Sequence, residues 1–439
     1  MSGLWEWSIF TSSFRPDSTD MSLPIALYRG VAMAAFAFAS PWLCRRYAGH
    51  GLEERRGRYA SSLIQMLRRK GRPLWVHAVS VGEVQSASPF LRRAAACTQR
   101  PLILSCTTAT GKEMASQLLD GVVDQVLSAP WDSPLVVHRA STSIRPKAYV
   151  TVETEIWPGI LWEMRRQGTP SFMINGRFSD RSFTAMARCP WFWRDVLSLY
   201  TILMVRADSD REKLIGVGLP SDRVIVTGDC KADALRERKD LLDQAPLKEL
   251  LGAERPIVLA GSTHRGEDEI VLLAFRMVLA RYPGARLILV PRHPERADEV
   301  AALATSLGPV ALYSRPSPGW RVLVVDRIGV LFGLYSQADC AFIGGSLVPR
   351  GGQNIMEPAL FGVPFCQGPQ YQDFIEATQA LNQAGVGTVI VDGDTMGRAF
   401  LRDLEAGRRD RVARAAKAYF EGLPSAADRS WETISSFLV

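Results

Sequence analysis

The chain of 439 residues has no CxxC pair, no GxGxxG or GxxxxGK[ST] loop, and only five histidines, well spread. Its seven cysteines (44, 97, 106, 189, 230, 340 and 366) form neither a disulfide framework nor a zinc site. Most lie in apolar runs such as LILSC and ADCAFIGG, where buried free thiols in a reducing compartment are expected. With no histidine cluster either, a metalloenzyme is disfavoured and no metal is expected. Neither half has a dinucleotide glycine fingerprint after its first strand, which speaks against a nicotinamide-dependent dehydrogenase.

Long apolar runs are scarce too. Residues 23–43, LPIALYRGVAMAAFAFASPWL, are apolar apart from Arg29 and a few small polar residues, and the unbroken part from Gly30 to Leu43 has 14 residues. That is short of the roughly 20 that span a bilayer, unless Arg29 snorkels to one interface. No cleavage pattern indicates a removed signal peptide. An anchor lying in or partly through the bilayer fits, with Arg45, Arg46, Arg55, Arg56 and Arg58 on the cytoplasmic side. A buried N-terminal helix is the alternative. Residues 1–20 carry no clear pattern, and Met21 is a candidate start.

Hydrophobic residues make up 47% and charged residues 22%, the balance of a globular protein, at a length that calls for two cores. Between Arg45 and Arg72 nine Lys/Arg face two Glu, a net +7 that equals the charge of the whole chain. This cluster is a solvated face or a site for an anionic surface: nucleic acid, acidic lipid or a phosphorylated substrate.

From Arg72 onward short apolar runs alternate with helical periods. PLWVHAVS, PLILSCT, DQVLSAP, AYVTVET, PSFMIN and TILMVRA read as strands, with helices over Val84–Ala96, Gly111–Leu119 and Ile160–Arg166. After LPSDRVIVTGDCKADALRERKDLLDQAPLKELLGAERP, polar and charged around one short strand and expected to be the inter-domain segment, the pattern resumes. PIVLAGST, RLILVPRH, RVLVVD, CAFIGGS, VPFCQGP and GTVIVDG are its strands, with helices over Glu267–Arg281 and Pro294–Leu307. Two doubly wound α/β domains in tandem are expected, with a cleft between them, because ligands bind beyond the carboxyl ends of such strands.

The strand ends divide the chemistry. In the first half Ser80-Val81-Gly82-Glu83 follows a strand, Gly82 allowing a tight turn and Glu83 being either a helix N-terminal charge or a base. Glu153 and Glu155 end a buried strand and need partners. The second half offers cations and N–H groups: Gly261-Ser262-Thr263 in a phosphate-compatible turn, Arg292 and His293 after a strand, and Lys231 in TGDCK. GGSLVPRGGQN adds a glycine-rich, nest-forming approach to a helix containing Glu357. Acids in one half and anion-binding groups in the other suggest a transferase with a phosphate-bearing donor.

The blocks WVHAVSVGEV, TTATG, VETEIWP, INGRFSDRS, VTGDCKAD, GSTHRGE, LVPRHPER and GGSLVPRGGQNIMEP stand in the order seen in bacterial 3-deoxy-D-manno-octulosonic acid (Kdo) transferases, and the chain resembles that family from about Tyr28 to its C-terminal helices. The resemblance implies an α/β protein of GT-B type, two Rossmann-like doubly wound domains facing a cleft, plus an N-terminal membrane-anchor helix at the cytoplasmic face of the inner membrane. It implies transfer of Kdo from CMP-Kdo, a co-substrate with no other cofactor, onto a lipid A precursor. Lipid A phosphates at an anionic membrane give the basic segment a rationale; nucleic acid is not an expected partner. The expected division is 1–44 for the extension and anchor, 45–220 for an acceptor domain, 221–410 for a CMP-sugar domain, and 411–439 for terminal helices with room to cross back.

By the same resemblance Glu83 is the general base, with Ser80 and Gly82 supporting it. Glu153, Glu155 and Arg177 lie near the acceptor; Arg177 and Arg206 orient anions or pair with those acids. Lys231 and Arg292 hold the phosphate or the sugar carboxylate, assisted by Ser262 and Thr263, with His293 beside them. Gly344, Gly345, Ser346, Gly352, Gln353, Asn354 and Glu357 line the nucleotide side, Glu357 accepting from ribose hydroxyls. Gln353 stands where the family usually has histidine; it hydrogen-bonds but carries no charge. The alternatives are another activated sugar on the same scaffold, or a non-catalytic lipid-A-binding protein, against which Glu83, Arg292 and Glu357 argue.

Overall fold

The computed structural model describes residues 21–438, so the reading of residues 1–20 lies outside it. Each apolar run has become a strand; the central ones are buried on both faces, while the edge strands in DQVLSAP and GTVIVDG are partly exposed. The first sheet takes β1 (Leu74–Ala78), β2 (Leu102–Cys106), β3 (Gln125–Ser128), β4 (Ala148–Val152), β5 (Ser171–Gly176), β6 (Ile202–Val205) and β7 (Val224–Val226), in the order β3-β2-β1-β4-β5-β6-β7. All pairings are parallel. Alternate residues feed two cores: Trp75, Ile103 and Tyr149 on one face, Val76, Leu104 and Val150 on the other.

The second sheet holds β8 (Ile257–Thr263), β9 (Arg286–Pro291), β10 (Val310–Leu312), β11 (Val322–Val324), β12 (Cys340–Ile343), β13 (Phe365–Gln367) and β14 (Gly387–Val389). Its order is β10-β11-β9-β8-β12-β13-β14, its named strands again pair in parallel, and again there is a core on each face. The three residues of β10 gave no run long enough to notice. In both sheets the strand order reverses at the first strand, beside β4 in one and β12 in the other. At such a switch point the loops leaving adjacent strands diverge and leave room for a ligand.

Compact units run to Ala234 with the return of Pro424–Val439, and from Leu235 to Leu423. The first unit therefore ends later than position 220, because β7 pairs with β6 and carries the following loop, including Lys231, with it. The C-terminal helix Ala426–Ser435 packs on the helix Val81–Cys97 through Phe90 and Trp431, ring centroids 6.3 Å apart.

The helix Leu23–Arg46 is long and apolar enough to cross a membrane. It lies along the first unit for most of its length. The Tyr28 hydroxyl donates to Asp132 at 2.7 Å, and Phe36 and Tyr47 flank Trp131 with centroids 5.5 and 5.9 Å away. The opposite side exposes Leu23, Leu27, Val31, Phe38 and Trp42.

Candidate active site

Three acids gather at the switch point of the first sheet. Glu83, third residue of the helix Val81–Cys97, folds back across the helix start. Its Oε2 accepts the Val79 N–H at 2.7 Å and its Oε1 the Ser80 hydroxyl at 3.1 Å. That is how a carboxylate satisfies orphan donors near a helix N-terminus. Yet the residue is only 8% exposed. Burial disfavours its charged form and pushes its pKa up to about 7; the two hydrogen bonds oppose the rise, and the carboxylates of Glu155 and Glu153 add to it. Both readings of Glu83 thus hold together, a helix-start carboxylate that titrates where a base for neutral-pH chemistry is useful.

Glu153 leaves β4 in the left-handed region, at φ 58°, strain of about 1–3 kcal/mol for a residue with a Cβ. Its Oε1 lies 3.2 Å from the Ser86 hydroxyl and 3.1 Å from the Lys231 ammonium. Burial also raises the pKa of Glu155, against the Trp157 indole N–H that donates to it at 3.1 Å. Arg206 pairs with Asp229 at 2.7 Å, not with these acids, and Arg177 is exposed, its carbonyl accepting the Thr154 hydroxyl. Gly82 lies in the first turn of the helix with no left-handed φ, and a Cβ there would meet nothing within 4 Å among the described residues. It leaves open space beside Glu83. One contributor went unread. Asn175, at φ 55°, accepts the Cys230 N–H through Oδ1 at 3.0 Å and so fixes the start of the helix Cys230–Asp240 that carries Lys231. His77 on β1 is a core residue, held neutral by burial with its pKa down to about 4 and bonded to Ser105 at 3.0 Å.

In the second unit, three loops meet backbone to backbone. The Gly344 N–H donates to Gly261 O at 2.8 Å and the Gln370 N–H to Ser346 O at 2.9 Å. A Cβ on Gly344 would stand 2.3 Å from Ser262 O, and one on Gly368 2.2 Å from Ser346 O, so only glycine fits at either position. Two expected donor ligands are committed elsewhere. The Thr263 hydroxyl is buried and donates to Asp268 at 2.6 Å, which Arg296 also holds at 2.6 Å. The Ser346 hydroxyl donates to Ile343 O and accepts the Gly368 N–H at 2.8 Å. Both hold the loops together rather than facing a ligand.

The nest itself is occupied. Glu267, fully buried, accepts the N–H groups of Gly345 at 2.8 Å, Ser346 at 3.0 Å and Leu347 at 3.0 Å, and that of His264 at 2.9 Å. Sequence reading saw Glu267 only as the start of a helix; nothing local marks it as the partner of residues about 80 positions away. Beyond the nest, Gly351 and Gly352 adopt φ 81° and 84°, and Asn354 Oδ1 accepts the Met356 N–H at 3.1 Å where the short helix Met356–Leu360 starts. Burial raises the pKa of Glu357, whose carboxylate pairs with Arg238 at 3.8 Å and accepts the Asn354 amide in a long bond of 3.4 Å. Gln353 lies against Gly345.

Arg292 and His293 are exposed beyond β9, tied to the first loop by the Arg292 N–H on Thr263 O at 2.9 Å. His264, passed over in the sequence, stands beside them with its ring 6.0 Å from that of His293. Burial lowers its pKa, Glu267 opposes that, and the neighbouring Arg350, His293 and Arg292 add to the lowering. Its Nε2 is buried with no hydrogen-bond partner among the described residues, which is unusual for a buried polar atom and suits a ligand acceptor.

These geometries can be set beside known proteins. Residues 50–234 match the family model described as 3-deoxy-D-manno-octulosonic-acid transferase (kdotransferase). The 3-deoxy-D-manno-octulosonic acid transferase of Bordetella pertussis is 31% identical over 385 residues, covering 83% of this chain and 87% of that protein. In fold, the UDP-GlcNAc 2-epimerase of Neisseria meningitidis superposes with a TM-score of 0.60, covering 83% of this chain and 99% of that one at 16% identity. That likeness concerns the fold alone, two Rossmann-like units of GT-B type. The transferase of the same name from Haemophilus influenzae is 33% identical over 334 residues, 74% of this chain and 78% of its relative. The chain therefore belongs to the 3-deoxy-D-manno-octulosonic acid transferase family.

Proposed function

We propose that this enzyme moves Kdo from CMP-Kdo onto a hydroxyl of a lipid A precursor, with inversion at the anomeric carbon and Glu83 as general base. The observation that carries this reading is the Glu83 carboxylate, buried at a switch point beside two more acids, with a pKa near 7. The acceptor oxygen forms its bond to the anomeric carbon as its proton passes to Glu83. The bond from that carbon to the phosphate oxygen breaks, and CMP departs with the electron pair without needing an acid. Arg292 and His264, with the N–H groups of Gln353 and Asn354, stabilise the charge that develops on CMP. Glu357 takes the ribose hydroxyls, since among the described residues its carboxylate is held only by long contacts to Asn354 at 3.4 Å and Arg238 at 3.8 Å. Lys231 steadies Glu153 near the acceptor. The first unit takes the acceptor and the second the donor.

Purified protein incubated with CMP-Kdo and a tetraacylated lipid A precursor should release CMP; binding of both without release would overturn the reading. The pH profile offers a finer test. Glu83 works as a base only when deprotonated, so activity is lost as pH falls through its raised pKa. We expect kcat/KM to rise about tenfold per pH unit below about 7 and to level off above it. A profile flat from pH 5.5 to 8 would exclude Glu83 as the base.

We further propose that the helix Leu23–Arg46 lies in the plane of the inner membrane at its cytoplasmic face. Contacts from Tyr28 to Tyr47 keep one side on the first unit, while Leu23 and Phe38, 82% and 90% exposed, mark the side offered to lipid. The basic cluster contributes unevenly. Arg55 is turned inward, donating to Thr107 O at 2.7 Å and lying over the Tyr47 ring, and Arg58 pairs with Glu53 at 3.2 Å. Arg45, Arg46, Arg68 and Arg69 are exposed. Neutralising Arg45 and Arg46 together should weaken binding to anionic vesicles roughly thirtyfold at low salt, at about 1 kcal/mol per charge, with the difference shrinking as salt rises. Equal binding by the variant in a vesicle sedimentation assay would remove these arginines from the membrane contact.

A further inference from the structure

A glycine-rich turn with converging N–H groups ordinarily receives an anion from a ligand. Here that place is filled from within, because the carboxylate of Glu267 accepts from Gly345, Ser346 and Leu347 in one loop and from His264 in the other. Oε1 takes Ser346 and Leu347; Oε2 takes Gly345 and His264. The loops leave the two strands at the switch point of the second sheet, β8 and β12, which pair from Val258↔Cys340 to Gly261↔Ile343. Glu267 thus locks together the segments that also carry Ser262, His264 and, through the Gly352 N–H on Gly345 O at 2.9 Å, the Gly351–Gly352 turn.

We infer that Glu267 is a positioning residue for the donor site: it is the fixed anion around which the glycine-rich loop folds, so the donor's phosphate meets the Gly351–Asn354 segment and His264 and not the N–H groups of residues 345–347. This rests on the reading that the second unit binds CMP-Kdo. The lock acts at a distance from the ligand. Without it, His264 loses the backbone bond that sets its ring, and the turn at Gly351–Gly352 loses its anchor on Gly345. Glutamine at 267 retains one acceptor oxygen and turns an NH2 toward the other pair of donors, so two of the four bonds go. Alanine loses all four and leaves a cavity the size of a small carboxylate.

The test compares wild type, Glu267→Gln and Glu267→Ala by calorimetric titration with CMP, at a temperature where circular dichroism shows each folded. CMP affinity should fall roughly tenfold or more in both, furthest in Glu267→Ala, while affinity for the lipid acceptor stays unchanged. Added formate should restore part of the CMP affinity of Glu267→Ala and leave wild type unaffected. Failure of wild type itself to bind CMP would refute the donor reading. Wild-type binding with equal binding by a folded variant would refute the positioning role alone. Hydrogen exchange on wild type keeps the inference testable if both variants misfold. The amides of 345–347 should be protected without ligand and unchanged by CMP, while those of 353 and 354 slow when CMP is added. Amides at 345–347 that exchange freely until CMP arrives would overturn it.

Discussion

Replacing Glu83 by glutamine should reduce Kdo transfer by about 10²–10⁴-fold, the usual contribution of a positioned general base, while CMP affinity changes by less than about twofold. Glutamine keeps the volume of the side chain and can still accept the Val79 N–H now bound at 2.7 Å, so the helix start survives. What it cannot do is take a proton from the acceptor hydroxyl. A second readout separates a base from a structural carboxylate. The folded-state pKa of Glu83 is raised from 4.5 to about 7, so folding favours the protonated form. The stability associated with that form is fully present below pH 4.5 and is lost as pH rises through about 7. The variant, which carries no charge to bury, should therefore match wild type at pH 4.5 and exceed it at pH 8 by about 2 kcal/mol, the roughly 3 kcal/mol that the shift implies being reduced by the carboxylate's remaining contact with solvent. A variant that is less active and more stable at high pH is the signature of a group kept for chemistry at a cost in folding. Undiminished turnover, measured as CMP release, would dismiss Glu83 as the base.

The other large effect concerns backbone packing. Alanine at Gly344 should destabilise the second unit by about 3 kcal/mol or more and abolish CMP binding, because overpacking against rigid atoms has no local relief. The added Cβ would stand 2.3 Å from Ser262 O, 2.7 Å from Ser262 C and 2.8 Å from Thr263 Cα, all backbone atoms of the paired strand β8. No rotamer change relieves such a contact; the two strand ends must separate, and the Gly344 N–H bond to Gly261 O goes with them. Alanine at Gly82 is the control, since a Cβ there meets nothing within 4 Å on a helix that favours alanine. Thermal unfolding should show an early transition in the first variant only. A Gly344→Ala protein that melts like wild type would mean that the loops at β8 and β12 yield more readily than their packing indicates.

Much of the architecture was legible before any coordinates. Runs such as LWVHA, LILSC, AYVTV and SFMING could only be strands covered on both faces, and they are buried throughout. The strand-end rule then placed Glu83, Glu153, Arg292 and Glu357 beyond the carboxyl ends of strands. Misreadings occurred where the signal was short or lay in side-chain partners. VAL at 310–312 is too brief to stand out, and the short strand VIV at 224–226 read as part of an inter-domain segment although it pairs with β6 in the first sheet. Thr263 and Ser346 look like ligands by residue type, but their hydroxyls serve Asp268 and Ile343 O. Arg55 looks like a membrane cation in a basic run, but it is buried against Thr107 and Tyr47.

Hydrophobic periodicity and strand-end chemistry, both local properties of the chain, determined by themselves that there are two parallel α/β sheets with acids at one set of strand ends and cations at the other. Which carboxylate does what was decided only by tertiary structure. Glu83 and Glu267 each follow a strand and begin a helix, and along the sequence they look alike. Folding leaves one at the rim beside Glu153 and Glu155, where burial without enough compensation raises its pKa. It gives the other four backbone donors, three of them from a loop some 80 residues away. A carboxylate's role follows from the number of hydrogen bonds that replace its lost water, and that number is set by partners brought together only in the folded chain.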